Sequence, residues 1–279
     1  MTDETFKFKN EIEKNKSAET VSDESVRIDG EHSSLEVRAR GCFITDCELA
    51  NPLSGKKMRI LYSNPNHSTA KLTASHMMSP IGSSEDIGGQ HGFPRWADYH
   101  KFTQSDGENG ERRVSFQAKR SDTGMGIVKA FELGESYITS ETTVSNYEPE
   151  TIDTSLGEHL YFRLEDEETD GLLVDGQTID ELLGEGSLKS IIKGEASYWA
   201  SFDRQVIVDF PDGHSIRIGV SVSGAEQDLV GMLIWHRPGT ESICFEPTVG
   251  FDPEMGKGGI QIKQHETATL STIIELLTS

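Results

Sequence analysis

At 279 residues with 34% hydrophobic content, the chain can bury a substantial core and is not disordered-like. Its 47 acidic against 26 basic residues leave a net charge of -21, which repels phosphate backbones and anionic bilayers and so argues against nucleic acid and membrane partners. Three cysteines without a CxxC pair argue against a disulfide framework and a thiolate zinc site. We expect free thiols in a reducing, cytoplasmic setting, since the opening "MTDETFKFKNEIEKNK" has no apolar signal region and no segment approaches the roughly 18 apolar residues of a membrane span.

Residues 1–33 are polar and charged and read as a mobile arm or an edge strand. Residues 34–279 read as one β-sandwich domain. "LEVRARGCFITDCEL" opens it, with Leu35, Val37 and Ala39 on one face, and "SGKKMRILYS" follows a turn. The stretch from Leu72 to Gly110 is irregular and Gly/Ser-rich, a long loop of the kind that is usually functional or disordered. Beyond it short alternating runs recur: "RRVSFQAK", "GIVKAFELG", "SYITSETTVSNY", "HLYFRLE", "QVIVDF", "HSIRIGVSV", "DLVGMLIW", "SICFEP", "GIQIK" and "TATLSTIIELL". Turn clusters such as "FPDGHS" separate them. Only "TIDELLGEGSLKSII" reads as helical, and its glycines break any long helix. About a dozen strands without regular helices predict an all-β fold of two large antiparallel sheets packed face to face.

Three segments carry candidate chemistry. "GGQHGFPRWADYH" offers His91, Arg95, Trp96 and His100 on the long loop, where aromatic faces beside fixed donors suit a sugar ring; a loop tucked down by its aromatics reads equally well. In "SLGEHLYFRL", Leu160, Phe162 and Leu164 share one face and His159, Tyr161 and Arg163 the other. A mid-strand histidine, with an ordinary pKa of about 6.5, serves as a general acid or as a satisfied structural side chain. In "SICFEPTVGFD", Ile243 and Phe245 share one face and Cys244 and Glu246 the other. Glu246 is a carboxylate in an apolar run, which an ion pair, an exposed strand end or a catalytic base would each account for. Pro247 cannot continue a central ladder, so we expect Glu246 at a strand end or bulge.

In order and spacing, "HGF-x-R", "G-x-H-x-YF" and "C-x-EP" resemble the aldose 1-epimerase (galactose mutarotase-like) superfamily, near its glucose-6-phosphate 1-epimerase branch. The likeness runs from about Leu35 to the C-terminus and takes in "RGCFITDCEL" and "FDRQVIVDF". It implies a β-supersandwich and the interconversion of sugar anomers without cofactor or metal. Carried over by position, Glu246 is the base, His159 the acid, and His91, Arg95, Trp96 and Asp203 bind a small-molecule sugar. The region before "HGF" reads "ASHMMSPIGSSEDIGG", without the branch's arginine and with an acidic "SSED", which favours a neutral sugar over a hexose 6-phosphate. A carbohydrate-binding protein of the same fold is the main alternative. A glycoside hydrolase pairing Glu246 with Asp203 or Asp209 is another, and a metal-dependent enzyme a third, for which the nine histidines show no H-x-H or H-E-x-x-H spacing.

Overall fold

The computed structural model describes residues 24–64, 73–84, 89–107, 110–119, 124–164, 169, 171–224, 230–253 and 257–278. Its principal strands are β1 (Ser25–Asp29), β2 (Ser34–Arg38), β3 (Phe43–Ala50), β4 (Lys57–Arg59), β5 (His76–Met78), β6 (His100–Asp106), β7 (Arg112–Lys119), β8 (Met125–Leu133) and β9 (Tyr137–Asn146). They continue with β10 (Leu156–Arg163), β11 (Leu173–Val174), β12 (Ser197–Trp199), β13 (Gln205–Asp209), β14 (Ser215–Ser223), β15 (Val230–Trp235), β16 (Ser242–Val249) and β17 (Thr267–Leu277).

These strands form an eight-stranded sheet ordered β11-β13-β14-β17-β9-β8-β7-β6, a five-stranded sheet ordered β12-β15-β16-β10-β5, and a four-stranded sheet ordered β1-β2-β3-β4. The described pairings are antiparallel. The two large sheets share one apolar core that runs from Ile28 to Leu276. The all-β sandwich expected from the alternating runs is therefore present. β17 shows why: Ala268, Leu270, Thr272, Ile274 and Leu276 point inward while the residues between them are partly exposed. Burying each such aliphatic side chain contributes roughly 1.5–3 kcal/mol.

Three expectations change in detail. Of the first 33 residues, 1–23 lie outside the described ones, and Ser25–Asp29 is an edge strand paired with β2. Within the stretch read as a long loop, His76–Met78 is the edge strand of the five-stranded sheet and His100–Asp106 that of the eight-stranded sheet. β5 is held by β10, far along the chain, which no local pattern reveals, whereas β6 pairs with the next strand, β7, as a hairpin. The helical stretch is two short helices, α1 (Ile179–Leu183) and α2 (Ser187–Ile192). Thr178 and Glu181 form a capping box at the start of α1, and Gly184 and Gly186, both at positive φ, separate the pair. All three cysteines are free and buried.

A buried ion pair joins the two large sheets. Lys129 of β8 meets Glu158 of β10, each 1% exposed. Lys129 also donates to Thr142 Oγ1 at 2.8 Å, and Thr142 Oγ1 donates to Glu158 Oε1 at 2.8 Å, so the charges are hydrogen-bonded as well as paired.

Candidate active site

The site is built across the face of the five-stranded sheet that points away from the shared core. β10 and β16 pair with Gly157 opposite Thr248 and Leu160 opposite Phe245. This register sets His159 directly across from Glu246. β5 sets His76 opposite His159, and β15 sets Leu233 opposite Glu246. The next row on that face is Tyr161, Cys244 and Trp235. Opposed residues in an antiparallel pair project to the same side, so four strands line up His76, His159 and Glu246 with Tyr161, Cys244 and Trp235 beside them.

Glu246 is not at a strand end, contrary to expectation: β16 continues through Pro247 to Val249. The β15 side of the ladder is unbroken, with Met232 opposite Pro247. The described pairs with β10 skip the rows of Glu158 and His159. The donor that proline lacks thus falls where the ladder opens between His159 and Glu246.

His159 Nε2 stands 3.3 Å from Glu246 Oε1, and the two side chains are 4% and 5% exposed. Tyr161 stacks on His159 at 4.4 Å between centroids, and its hydroxyl lies 3.3 Å from His159 Nε2. His76 also stacks on His159 at 4.9 Å, its ring 6.5 Å from that of Tyr161 and its Nδ1 donating to the Ala74 carbonyl at 2.8 Å. Trp235 meets His159 edge-on at 5.6 Å.

The loop between β5 and β6 completes the site. His91 sets its ring edge-on to His159 at 5.3 Å and lies 5.5 Å from His76. Arg95 is buried, its guanidinium 5.3 Å from the ring centre of Trp96 and 6.0 Å from that of Phe43. Gly92 sits between them at φ 74°, where an added Cβ would collide with the Ser79 carbonyl oxygen. We expect Gly92→Ala to strain the backbone by about 1–3 kcal/mol and to displace His91 and Arg95. Thermal unfolding should show the loss; an unchanged midpoint would contradict this reading of the turn.

Burial dominates the electrostatics. It raises Glu246 to about 8, with the Arg95 charge opposing. Burial, then His91 and Arg95, hold His159 well below the ordinary imidazole value. His76 is lowered in the same sense, first by burial and then by Arg95, and His91 falls to about 3 for the same two reasons. Burial pushes the Cys244 thiol and the Tyr161 hydroxyl upward. Near neutral pH the His159–Glu246 pair therefore holds one proton, resting on the carboxyl.

Of the residues singled out in the sequence, His159, Glu246, His91, Arg95 and Trp96 come together. His100 is exposed on β6. Asp203 is exposed in the turn between β12 and β13. Asp209 lies in the eight-stranded sheet and accepts a hydrogen bond from Ser215 at 2.5 Å, a different sheet from that of Glu246. His76, Trp235 and Arg237 were not anticipated. Arg237 donates to Thr73 Oγ1 at 2.6 Å, and its charge acts on Arg95, Tyr161 and Cys244.

No family model and no curated protein sequence matches the chain. Solved structures do. A protein of Synechocystis sp. PCC 6803 matches with a TM-score of 0.69 at 16% identity, over 92% of this chain and 96% of that one. A galactose mutarotase-like protein from Lactobacillus casei ATCC 334 gives 0.63 at 17% identity, over 91% and 100%. A galactose mutarotase related enzyme from Lactobacillus acidophilus gives 0.68 at 14% identity, over 91% and 98%. At such identities the likeness concerns the fold: this chain has the galactose mutarotase-like fold.

Proposed function

We propose that the chain is an aldose 1-epimerase that interconverts the α and β anomers of a hexose, with Glu246 and His159 as its acid/base pair. The observation that carries this reading is the 3.3 Å approach of His159 Nε2 to Glu246 Oε1 on facing strands. Anomer exchange needs one group to remove a proton and one to supply it, on either side of C1–O5. With sugar bound, the pair's proton passes from Glu246 Oε1 to His159 Nε2 across their 3.3 Å contact, and the now ionised Glu246 takes the proton of the C1 hydroxyl. Protonated His159 gives its proton to the ring oxygen as the C1–O5 bond breaks. The open-chain aldehyde turns about C1–C2. On closure His159 recovers its proton from O5 and Glu246 returns its proton to O1, which restores the enzyme. Both half-reactions conserve a single proton on the pair.

His91, Arg95 and Trp96 would hold the sugar, and Asp203 is proposed as a further contact made with substrate bound. The acid/base pair is nearly buried, so side chains around it must move for a sugar to reach it. A neutral hexose is the first substrate to test. Arg237 near Arg95 gives the site a second cation, which is the reason to test glucose 6-phosphate beside it.

Freshly dissolved α-glucose and α-galactose followed by polarimetry test the reading. We expect acceleration over buffer; sugar binding without acceleration would support a carbohydrate-binding protein of the same fold instead. The pH profile is a second expectation. The one-proton state spans from well below 6.5, where His159 takes a second proton, up to about 8, where the pair loses its only one. The rate should therefore be level around pH 7 and fall above about 8, approaching tenfold per pH unit. A rate that keeps rising past pH 9 would contradict a shared proton.

A further inference from the structure

We propose that His159, Cys244 and Glu246 form a zinc site, and that zinc binding and proton transfer at this pair exclude one another. The inhibitory half rests on the aldose 1-epimerase reading; the binding half stands without it.

Three observations carry the proposal. One imidazole nitrogen of His159, the Sγ of Cys244 and a carboxylate oxygen of Glu246 lie within 4.8 Å of one another, and all three residues are buried. Cys244 and Glu246 are two apart on β16 and share its site face, and His159 faces Glu246 from β10, so rigid strands bring the three donors to one point. His159 Nδ1 and both nitrogens of His91 are buried without a hydrogen-bond partner, leaving imidazole lone pairs unused beside the cluster. The motif spacings that argued against a thiolate zinc site do not cover this set, because its ligands come from two facing strands, His159 on β10 and Cys244 and Glu246 on β16, with a single thiol rather than a cysteine pair.

The donor set selects the metal. Zinc ligands at about 2.0–2.3 Å from the ion stand roughly 3.3–3.7 Å apart in a tetrahedron. His159 and Glu246 already meet that spacing, and Cys244, within 4.8 Å of both, needs to shift by roughly 1–1.5 Å at most. A thiolate, an imidazole and a carboxylate suit a borderline ion such as Zn²⁺, whereas Mg²⁺ and Ca²⁺ require oxygen donors. Three protein ligands leave the fourth position of a tetrahedral ion to water. On binding, the Cys244 thiol proton leaves to solvent, Glu246 gives up its own proton, and three coordinate bonds form. Affinity should therefore rise with pH. With zinc bound, neither the His159 nitrogen nor the Glu246 oxygen it occupies can exchange protons with O1 or O5.

Equilibrium dialysis of the full chain against Zn²⁺, with metal measured by mass spectrometry, is the direct test. We expect one zinc per chain in the wild type. Cys244→Ser should weaken it by more than the roughly 10–100-fold typical of outer-sphere changes. Co²⁺ in place of zinc should give a thiolate-to-cobalt charge-transfer band in the wild type, which decides the point even if the variant folds poorly. No stoichiometric zinc, zinc held equally by Cys244→Ser, or cobalt bound without that band would each overturn the site. Inhibition of anomer exchange by Zn²⁺ in the wild type, relieved in Cys244→Ser, tests the exclusion. A protein that binds zinc and lacks epimerase activity would retire the functional reading and leave the metal site standing.

Discussion

Glu246→Gln should abolish anomer exchange and make the protein more stable than the wild type at alkaline pH. The loss of activity is that of a general base, roughly 10²–10⁴-fold. The gain in stability follows from the carboxyl's environment. Its folded value is raised to about 8 by burial, above the ordinary 4.5. The folded state therefore holds its proton more tightly than the unfolded state does. Stability from this group is full below about pH 4.5 and is lost as pH rises through about 8. Glutamine removes the burden of an ionised buried carboxyl, on the order of a few kcal/mol at pH 9. For a chain of this size that is a rise in unfolding temperature of roughly 5–10 °C. His76, His91 and His159 carry the opposite sign: their depressed values give stability that is present above about 6.5 and lost as pH falls. The comparison belongs between pH 6.5 and 9, where only Glu246 among these four groups changes charge. A variant no more stable than wild type at pH 9 would mean that Glu246 is already charged and well solvated.

Lys129→Met is expected to lose about 3–5 kcal/mol in urea unfolding, because it leaves the Glu158 carboxylate buried between the sheets without its counter-charge. Adding Glu158→Gln should recover more than half of that loss. The hydrogen bonds from Thr142 and Ser140 reach Glu158 but supply no positive charge. Glu158 is the chain neighbour of His159 and points to the opposite face of β10, so the pair also fixes the strand that carries the acid. A Lys129→Met protein within about 1 kcal/mol of wild type would show that water or protonation relieves the carboxylate.

The strands and the faces of the key side chains were legible because period-two alternation is local. It separated His159 and Tyr161 from Leu160 and Phe162, and Cys244 and Glu246 from Ile243 and Phe245, and the sheet register agrees. What alternation lacks is the identity of the neighbouring strand. His76 enters the site from a three-residue edge strand inside a stretch that reads as irregular, and Trp235 through its pairing opposite Cys244. Pro247 reads locally as a stop. In the sheet only one side of the ladder feels its missing donor, so the strand runs on. The buried ion pair did leave a trace. Lys129 interrupts the inward row of Ile127, Phe131 and Leu133, and Glu158 continues the inward row of Leu160 and Phe162. Two opposite charges, each on an apolar face, are a reason to look for one another.

The most direct test of the site is two-dimensional exchange NMR of a hexose panel, glucose 6-phosphate included, at anomeric equilibrium. Cross-peaks between the α and β H1 signals report exchange with no net conversion, so any responsive sugar is detected. We expect enhanced exchange for at least one sugar with wild-type protein, reduced to the buffer rate by both His159→Asn and Glu246→Gln. Exchange at the buffer rate for every sugar with wild type, or full enhancement retained in Glu246→Gln, would contradict this expectation.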